Sequence, residues 1–403
     1  MTDKLEKKLH HINEVTRKHC LEQKHIGVFS GLSGTLLFQF YYSKFIDPKA
    51  NTDIAEQVLH TIIERINQGY KIANFSSGIA GFSWTIDHLE SQGFVEIGAD
   101  EFLPSFEDYL AGIMTQQMAN GKYDFLHAAN GYAFYFLCRH EHTQSDTLRN
   151  KYRKYLRDYL HHLEESAIPV DQDKIMWTSK IDLISKEEGI NVSLAHGMSS
   201  TMVLLAKLSV LPSFRLKTLP LLEKTINYIL SFKKAEENPF SFFPNWVTQE
   251  GGKHENSRLA WCYGDLGIGT ALWQAGKILD RDHLKTTALH TLEHAASRTA
   301  PDDSKVKDAG LCHGSFGNSL LFSRLHQETG RDSFAQAADF WFQDGFDKAI
   351  HDDGYGGFKK WNWREQAWDA DLSFLEGVAG IGLVIMNHLS TENLRWDDCL
   401  LIR

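Results

Sequence analysis

Residues 52–68 place Ile54, Val58, Ile62 and Ile66 four positions apart, with polar residues between them and Gly69 after them. That spacing lays one apolar face along a helix, and a following glycine is a usual stop. Similar amphipathic stretches run near 2–20, 105–119, 146–166, 216–234, 283–299 and 333–350. Between them lie segments that are apolar on most sides, among them GTLLFQFYY, GTALWQAGKIL and GIGLVIMNHL. A helix apolar all round is buried, and an amphipathic one lies on the outside. The pattern predicts an all-α protein in which seven outer helices surround seven inner ones, an α/α toroid formed by residues 1–403 as one domain.

A repeated glycine frame marks where each inner helix begins. It reads SGLSG (30–34), SGIAG (77–81), YGDLG (263–267), HGSFG (313–317) and EGVAG (376–380). Two weaker copies, HAANG (127–131) and HGMSS (196–200), fill the gaps. The second positions are 31, 78, 128, 197, 264, 314 and 377, so each unit has room for two helices and their loops. Without a Cβ, glycine permits positive φ and close backbone approach, and both are expected at these loops. The spacers 132–190 and 200–255 are longer than the rest and are expected to hold insertions. Within them, IPVDQDKIMWTS (168–179) and PFSFFPNWVTQ (239–249) read as loops or short strands that could line a cleft.

Composition narrows the function classes. A net charge of −10 argues against a general binder of nucleic acid or of anionic membranes. Five cysteines, an odd number in a long chain, give no disulfide framework and read as cytoplasmic. The polar N-terminus lacks the apolar core of a secretory signal. No apolar run approaches the ~20 residues of a membrane span.

In a ring of repeats, the residues just before the first glycine position face one another. They are Ser30, Ser77, His127, His196, Tyr263, His313 and Glu376. Copies five and six also place cysteines next to this slot, at Cys262 and Cys312. Either cysteine alone would read as a small buried hydrophobe. Together with His313 they make a set of two thiolates and one imidazole, which suits zinc with a fourth position open. His196 is a candidate acid/base, or else a capping or core histidine. Asp124 could orient His196 or cap a helix. Arg258 could hold a developing negative charge or pair with an acid, Tyr263 could donate to an oxyanion, and Trp261 reads as packing. His127 has no matching partner and is left out of the metal set. The pairs His10–His11 and His161–His162, with His140 and His142, read as solvated faces of polar helices.

At LAHG (194–197), RLAWCYG (258–264), LCHG (311–314) and SFLEGVAGIGLV (373–384) the chain resembles the lanthionine synthetase C-like family, the cyclases of lantibiotic biosynthesis. The resemblance runs over essentially the full length. It implies an α/α toroid with zinc held by Cys262, Cys312 and His313. It also implies an active site lined by His196, Asp124, Arg258 and Tyr263. Two copies depart from the family's pattern, HAANG and HGMSS, at backbone positions rather than ligands. No dehydratase-like or kinase-like region precedes the repeats, so the stand-alone form of the cyclase is expected.

The implied reaction adds a peptide cysteine thiol to dehydroalanine or dehydrobutyrine in a precursor peptide, closing a thioether ring. A dehydratase and an exporter are then candidate partners, and the long spacers the candidate place for leader-peptide recognition. Two other readings stay open on the same residues. One is an enzyme that adds glutathione to dehydrated residues. The other is a non-catalytic zinc-containing scaffold that binds peptides. A glycoside hydrolase fits poorly, because no carboxylate pair fills equivalent inner slots.

Overall fold

The computed structural model describes residues 2–47, 52–180, 188–234, 240–248 and 256–403. The chain forms two compact units. The first comprises Met1–Glu107, Lys307–Leu320 and Ala338–Cys399, and the second Asp108–Val306, Leu321–Ala337 and Leu400–Arg403.

All seven amphipathic stretches are helices: Thr2–His19, Thr52–Asn67, Pro104–Ala119, Asp146–Ser166, Pro212–Leu230, Asp282–Ser297 and Asp332–Asp347. Helix Thr52–Asn67 buries Ile54, Val58 and Ile62 and ends just before Gly69, which has a φ of +89°. Helix Asp146–Ser166 buries only Tyr152, Leu156, Tyr159, Leu160 and Leu163, one stripe at helical spacing. The helix expected from 216 begins earlier, at Pro212. A proline in the first helical turn lacks only an N–H that would have had no helical partner there.

Each glycine frame opens a buried helix. These are Leu32–Phe45, Ile79–Ser91, Ala129–His142, Met198–Val210, Gly264–Leu279, Ser315–Thr329 and Val378–Leu389. Gly264–Leu279 is buried without a break from Gly264 to Gly276. In the first unit Leu32–Phe45 packs on Thr52–Asn67, and Thr2–His19 on Val378–Leu389. In the second unit the pairs are Ala129–His142 with Asp146–Ser166, Met198–Val210 with Pro212–Leu230, and Gly264–Leu279 with Asp282–Ser297.

Why the frame needs glycine differs from the sequence expectation. Among the motif glycines only Gly264 has a positive φ, +77°. Gly31, Gly78, Gly197 and Gly377 instead cap their helices in extended backbone, with φ of −151° at Gly31 and −112° at Gly377. Ala128 does the same at −139°. Close approach is what requires glycine, at the first position as at the second: a Cβ at Gly78 would lie 2.3 Å from the Ile72 carbonyl oxygen, and one at Gly197 2.1 Å from that of Asn191. At the second, a Cβ at Gly317 would lie 1.9 Å from the Leu311 carbonyl oxygen, and one at Gly380 1.9 Å from that of Phe374. Where Ser200 replaces this glycine, its buried hydroxyl donates to the Gly197 carbonyl at 2.8 Å.

Backbone hydrogen bonds join successive frame loops. In the first unit, Leu311 N–H donates to Leu375, Leu375 to Phe29, and Phe29 to Ser76. In the second, Phe125 donates to Ala195, and Ala195 to Cys262. The slot residues are therefore fixed by main chain before any side chain contributes.

The long spacers carry short antiparallel strands. Ile168–Asp171 pairs with Lys174–Met176, and Glu188–Asn191 lies between Ser179–Lys180 and Trp246–Thr248. Residues 181–187, 235–239 and 249–255 of the spacers, including both ends of the 239–249 segment, lie outside the described residues. A third hairpin, Lys360–Asn362 with Ala367–Asp369, has no counterpart in the sequence expectations. No helix among the described residues is long and apolar enough to cross a membrane.

Candidate active site and metal centre

The Trp261–Gly264 turn is held from both sides. Trp261 is buried, and its indole N–H donates to the Leu400 carbonyl at 2.8 Å. Trp261 is thus the packing residue expected of it. Just past the turn, the buried Asp265 carboxylate accepts the Phe242 and Phe243 N–H groups at 3.0 and 2.8 Å. The guanidinium of Arg298 stands 3.4 Å from the same carboxylate. Between these anchors Cys262 is buried, and Arg258 Nη2 lies 3.8 Å from its sulfur. The Arg258 guanidinium also sits 5.9 Å from the centre of the Tyr263 ring.

The Leu311–Gly314 turn is fixed by main chain, with both Leu311 and Cys312 N–H donating to the Leu375 carbonyl at 2.9 Å. Cys262, Cys312 and His313 each offer one ligand atom, and these atoms all lie within 4.8 Å of one another. Two thiols and an imidazole gathered so closely and largely buried could hold a metal ion. The donor set fits zinc, which favours sulfur and nitrogen ligands and, with three from the protein, keeps a position for substrate.

His196 and Asp124 meet as the sequence reading allowed. His196 Nδ1 lies 2.5 Å from Asp124 Oδ2, and each side chain is 26 % exposed. Asp124 also caps its own loop, accepting the His127 N–H at 2.7 Å. Burial opposes the charged imidazole of His196, but the Asp124 charge and hydrogen bond outweigh it, and the pKa is raised. Burial likewise opposes the Asp124 charge, and attraction to His196 overcomes it, so its pKa is lowered. Burial pushes the Tyr263 phenol well up, which keeps it a hydrogen-bond donor. The His196 ring lies 5.6 Å from the Tyr263 ring. Asp124, His196 and Tyr263 line one cleft of about 890 Å³, which extends past Trp177, Ser179 and Glu188.

The model of the lanthionine synthetase C-like proteins matches residues 23–401. The chain belongs to the lanthionine synthetase C-like family. Nisin biosynthesis protein NisC of Lactococcus lactis subsp. lactis is 23 % identical over 379 residues, covering 88 % of this chain and 84 % of that one. The solved structure of nisin cyclase superposes with a TM-score of 0.72 at 19 % identity, over 99 % of this chain and 97 % of that one. That likeness shows the fold, an α/α toroid of repeated helix pairs.

Several residues of this lanthionine synthetase C-like chain went unmarked in the sequence reading or were set aside. His127 stays outside the cysteine–histidine group, yet it lines the same cleft as His196, with ring centroids 6.1 Å apart and nearly parallel. Burial lowers its pKa despite the nearby Asp124. Its place in the repeat slot was the available signal. Trp246 meets Tyr263 edge-on at 6.1 Å, and Asn191 lines the same cleft as Tyr263. Both come from the strands of the long spacers, where no motif marks them. Asp265 acts through buried hydrogen bonds to residues 23 and 22 positions away, which no local spacing encodes.

Proposed function

We propose that this chain is a cyclase that adds peptide cysteine thiols to dehydroalanine or dehydrobutyrine, forming lanthionine or methyllanthionine rings in a precursor peptide. The observation that carries this reading is the gathering of Cys262, Cys312 and His313 within 4.8 Å. Membership of the family that includes NisC supports it.

Zinc held by these three residues would act as a Lewis acid on a substrate thiol, lowering its pKa so that sulfur attacks as the thiolate. The remaining steps fall to the chain's own side chains. Sulfur bonds to the β-carbon, the double-bond electrons move towards the neighbouring carbonyl, and negative charge grows on that oxygen. Arg258 and Tyr263, stacked beside Cys262, are the donors for it. His196, kept charged by Asp124, delivers a proton to the α-carbon. The thiol's lost proton and the α-carbon's gained one balance, and no redox change occurs. The cleft past Trp177 and Glu188 is the proposed path for the peptide. A dehydratase and an exporter are proposed partners because the substrate must be dehydrated first and its product removed.

Metal analysis tests the base of this reading. Protein purified under reducing conditions is expected to carry about one zinc per chain. A parent protein that takes up no zinc, even after reconstitution, would leave inert cysteines and favour the peptide-binding scaffold.

A further inference from the structure

Asp308 is a buried carboxylate, 3 % exposed, four residues before Cys312. Two other copies of the frame carry Asn191 and Asp371 at this position, and each accepts the N–H two residues on, so what sets Asp308 apart is its second oxygen. Its Oδ1 accepts the Gly310 N–H at 3.1 Å, and its Oδ2 accepts the Trp361 N–H at 3.0 Å. The same Oδ2 stands 3.6 Å from His313 Nε2. The turn leaves no slack around it, because a Cβ at Gly314 would lie 2.5 Å from Asp308 Oδ1. Trp361 is pinned in turn, with the Lys307 ammonium 4.1 Å from its ring centre. Two backbone N–H groups thus aim a buried carboxylate at one nitrogen of a candidate metal ligand.

We infer that Asp308 is a positioning residue for His313. Its charge stands 3.6 Å from Nε2, favours the tautomer that carries its proton there, and leaves Nδ1 as the nitrogen that meets the metal. A metal-bound histidine commonly donates its other N–H to a carboxylate, which orients the ring and makes it a better ligand. The hairpin Lys360–Asn362 with Ala367–Asp369 then has a part in the site, because its Trp361 N–H holds the Asp308 carboxylate in place. The inference rests on the metal reading above and concerns which nitrogen binds and what holds it.

The test uses the full-length protein and zinc alone, with Asp308→Asn as the variant. Asparagine can still accept from Gly310, so the turn is expected to survive, and melting of the metal-free protein checks this. Zinc affinity, read by competition with a chromophoric chelator, should fall about 10- to 100-fold. Nitrogen-15 spectra of the zinc-loaded parent should show one histidine bound through Nδ1 with Nε2 protonated, and that signal should vanish in His313→Ala. Zinc affinity in Asp308→Asn within twofold of the parent would overturn the inference. So would a His313 signal bound through Nε2, which decides the matter even if the variant fails to fold. A parent that binds no zinc would overturn the metal reading itself, an outcome separate from these two.

Discussion

Replacing Cys312 with alanine is expected to give a folded protein that retains little zinc and closes no thioether ring. The loop does not depend on the sulfur, because the Leu311 and Cys312 N–H groups hold it to the Leu375 carbonyl. Removing one small buried atom leaves a modest void, costing about 1 kcal/mol. The effect on a metal is far larger. Of the three ligand atoms within 4.8 Å, one is lost outright, and two donors cannot fill the set that zinc prefers. Loss of a supporting contact alone weakens metal sites by about 10- to 100-fold, so loss of a ligand should exceed about 100-fold. Zinc per chain and ring formation, measured side by side, check this. Ring formation at the parent rate in a zinc-free Cys312→Ala protein would sink the mechanism.

The second large effect is expected at His196. His196→Ala should retain its zinc but form rings about 10²- to 10⁴-fold more slowly, the usual contribution of a positioned acid. Asp124→Asn should retain more activity and shift its pH dependence. The parent's rate should fall as pH rises through the raised pKa of His196. Without the Asp124 charge, burial is left to lower that pKa, so the alkaline limb should move to lower pH. The same pair stabilises the fold with opposite pH dependence at its two ends. The His196 part is complete below the unfolded value of about 6.5 and fades as pH rises through the folded pKa. The Asp124 part is complete above about 3.9 and fades as pH falls through its lowered pKa. From about pH 4 to about 6.5 both parts are present in full. An alkaline limb that stays in place in Asp124→Asn would refute the assigned orientation.

Much of the fold was legible because the chain repeats one local rule. Helical periodicity alone located Thr52–Asn67 and Asp146–Ser166, and the glycine frame located the starts of the buried helices. The frame's meaning was less legible. Close approach, such as that of the Leu311 carbonyl to Gly317, depends on the folded loop, and sequence cannot separate it from a need for positive φ. At the candidate site, His196 and His313 fill the repeat slot and Cys262 and Cys312 stand just before it, so the repeat singled them out, whereas Asp124 lies outside the slot and was assigned to the site only by the family resemblance. Asp308 and Trp361 were not readable, since their contact joins residues 53 positions apart with no shared motif. The same holds for Trp246 against Tyr263, where a three-residue strand carries too little periodicity to be recognised. His127 lay in view but had no partner to give it meaning until the fold set its ring beside that of His196.

The most direct measurement is thiol accounting on a peptide that carries one cysteine and one dehydroalanine a few residues apart. Zinc-loaded protein is incubated with the peptide, with and without free glutathione, and the products are alkylated and weighed. The account predicts a peptide of unchanged mass that no longer reacts with the alkylating reagent, whether or not glutathione is present. A peptide that stays fully alkylatable, or that gains glutathione in place of closing its own ring, would contradict it.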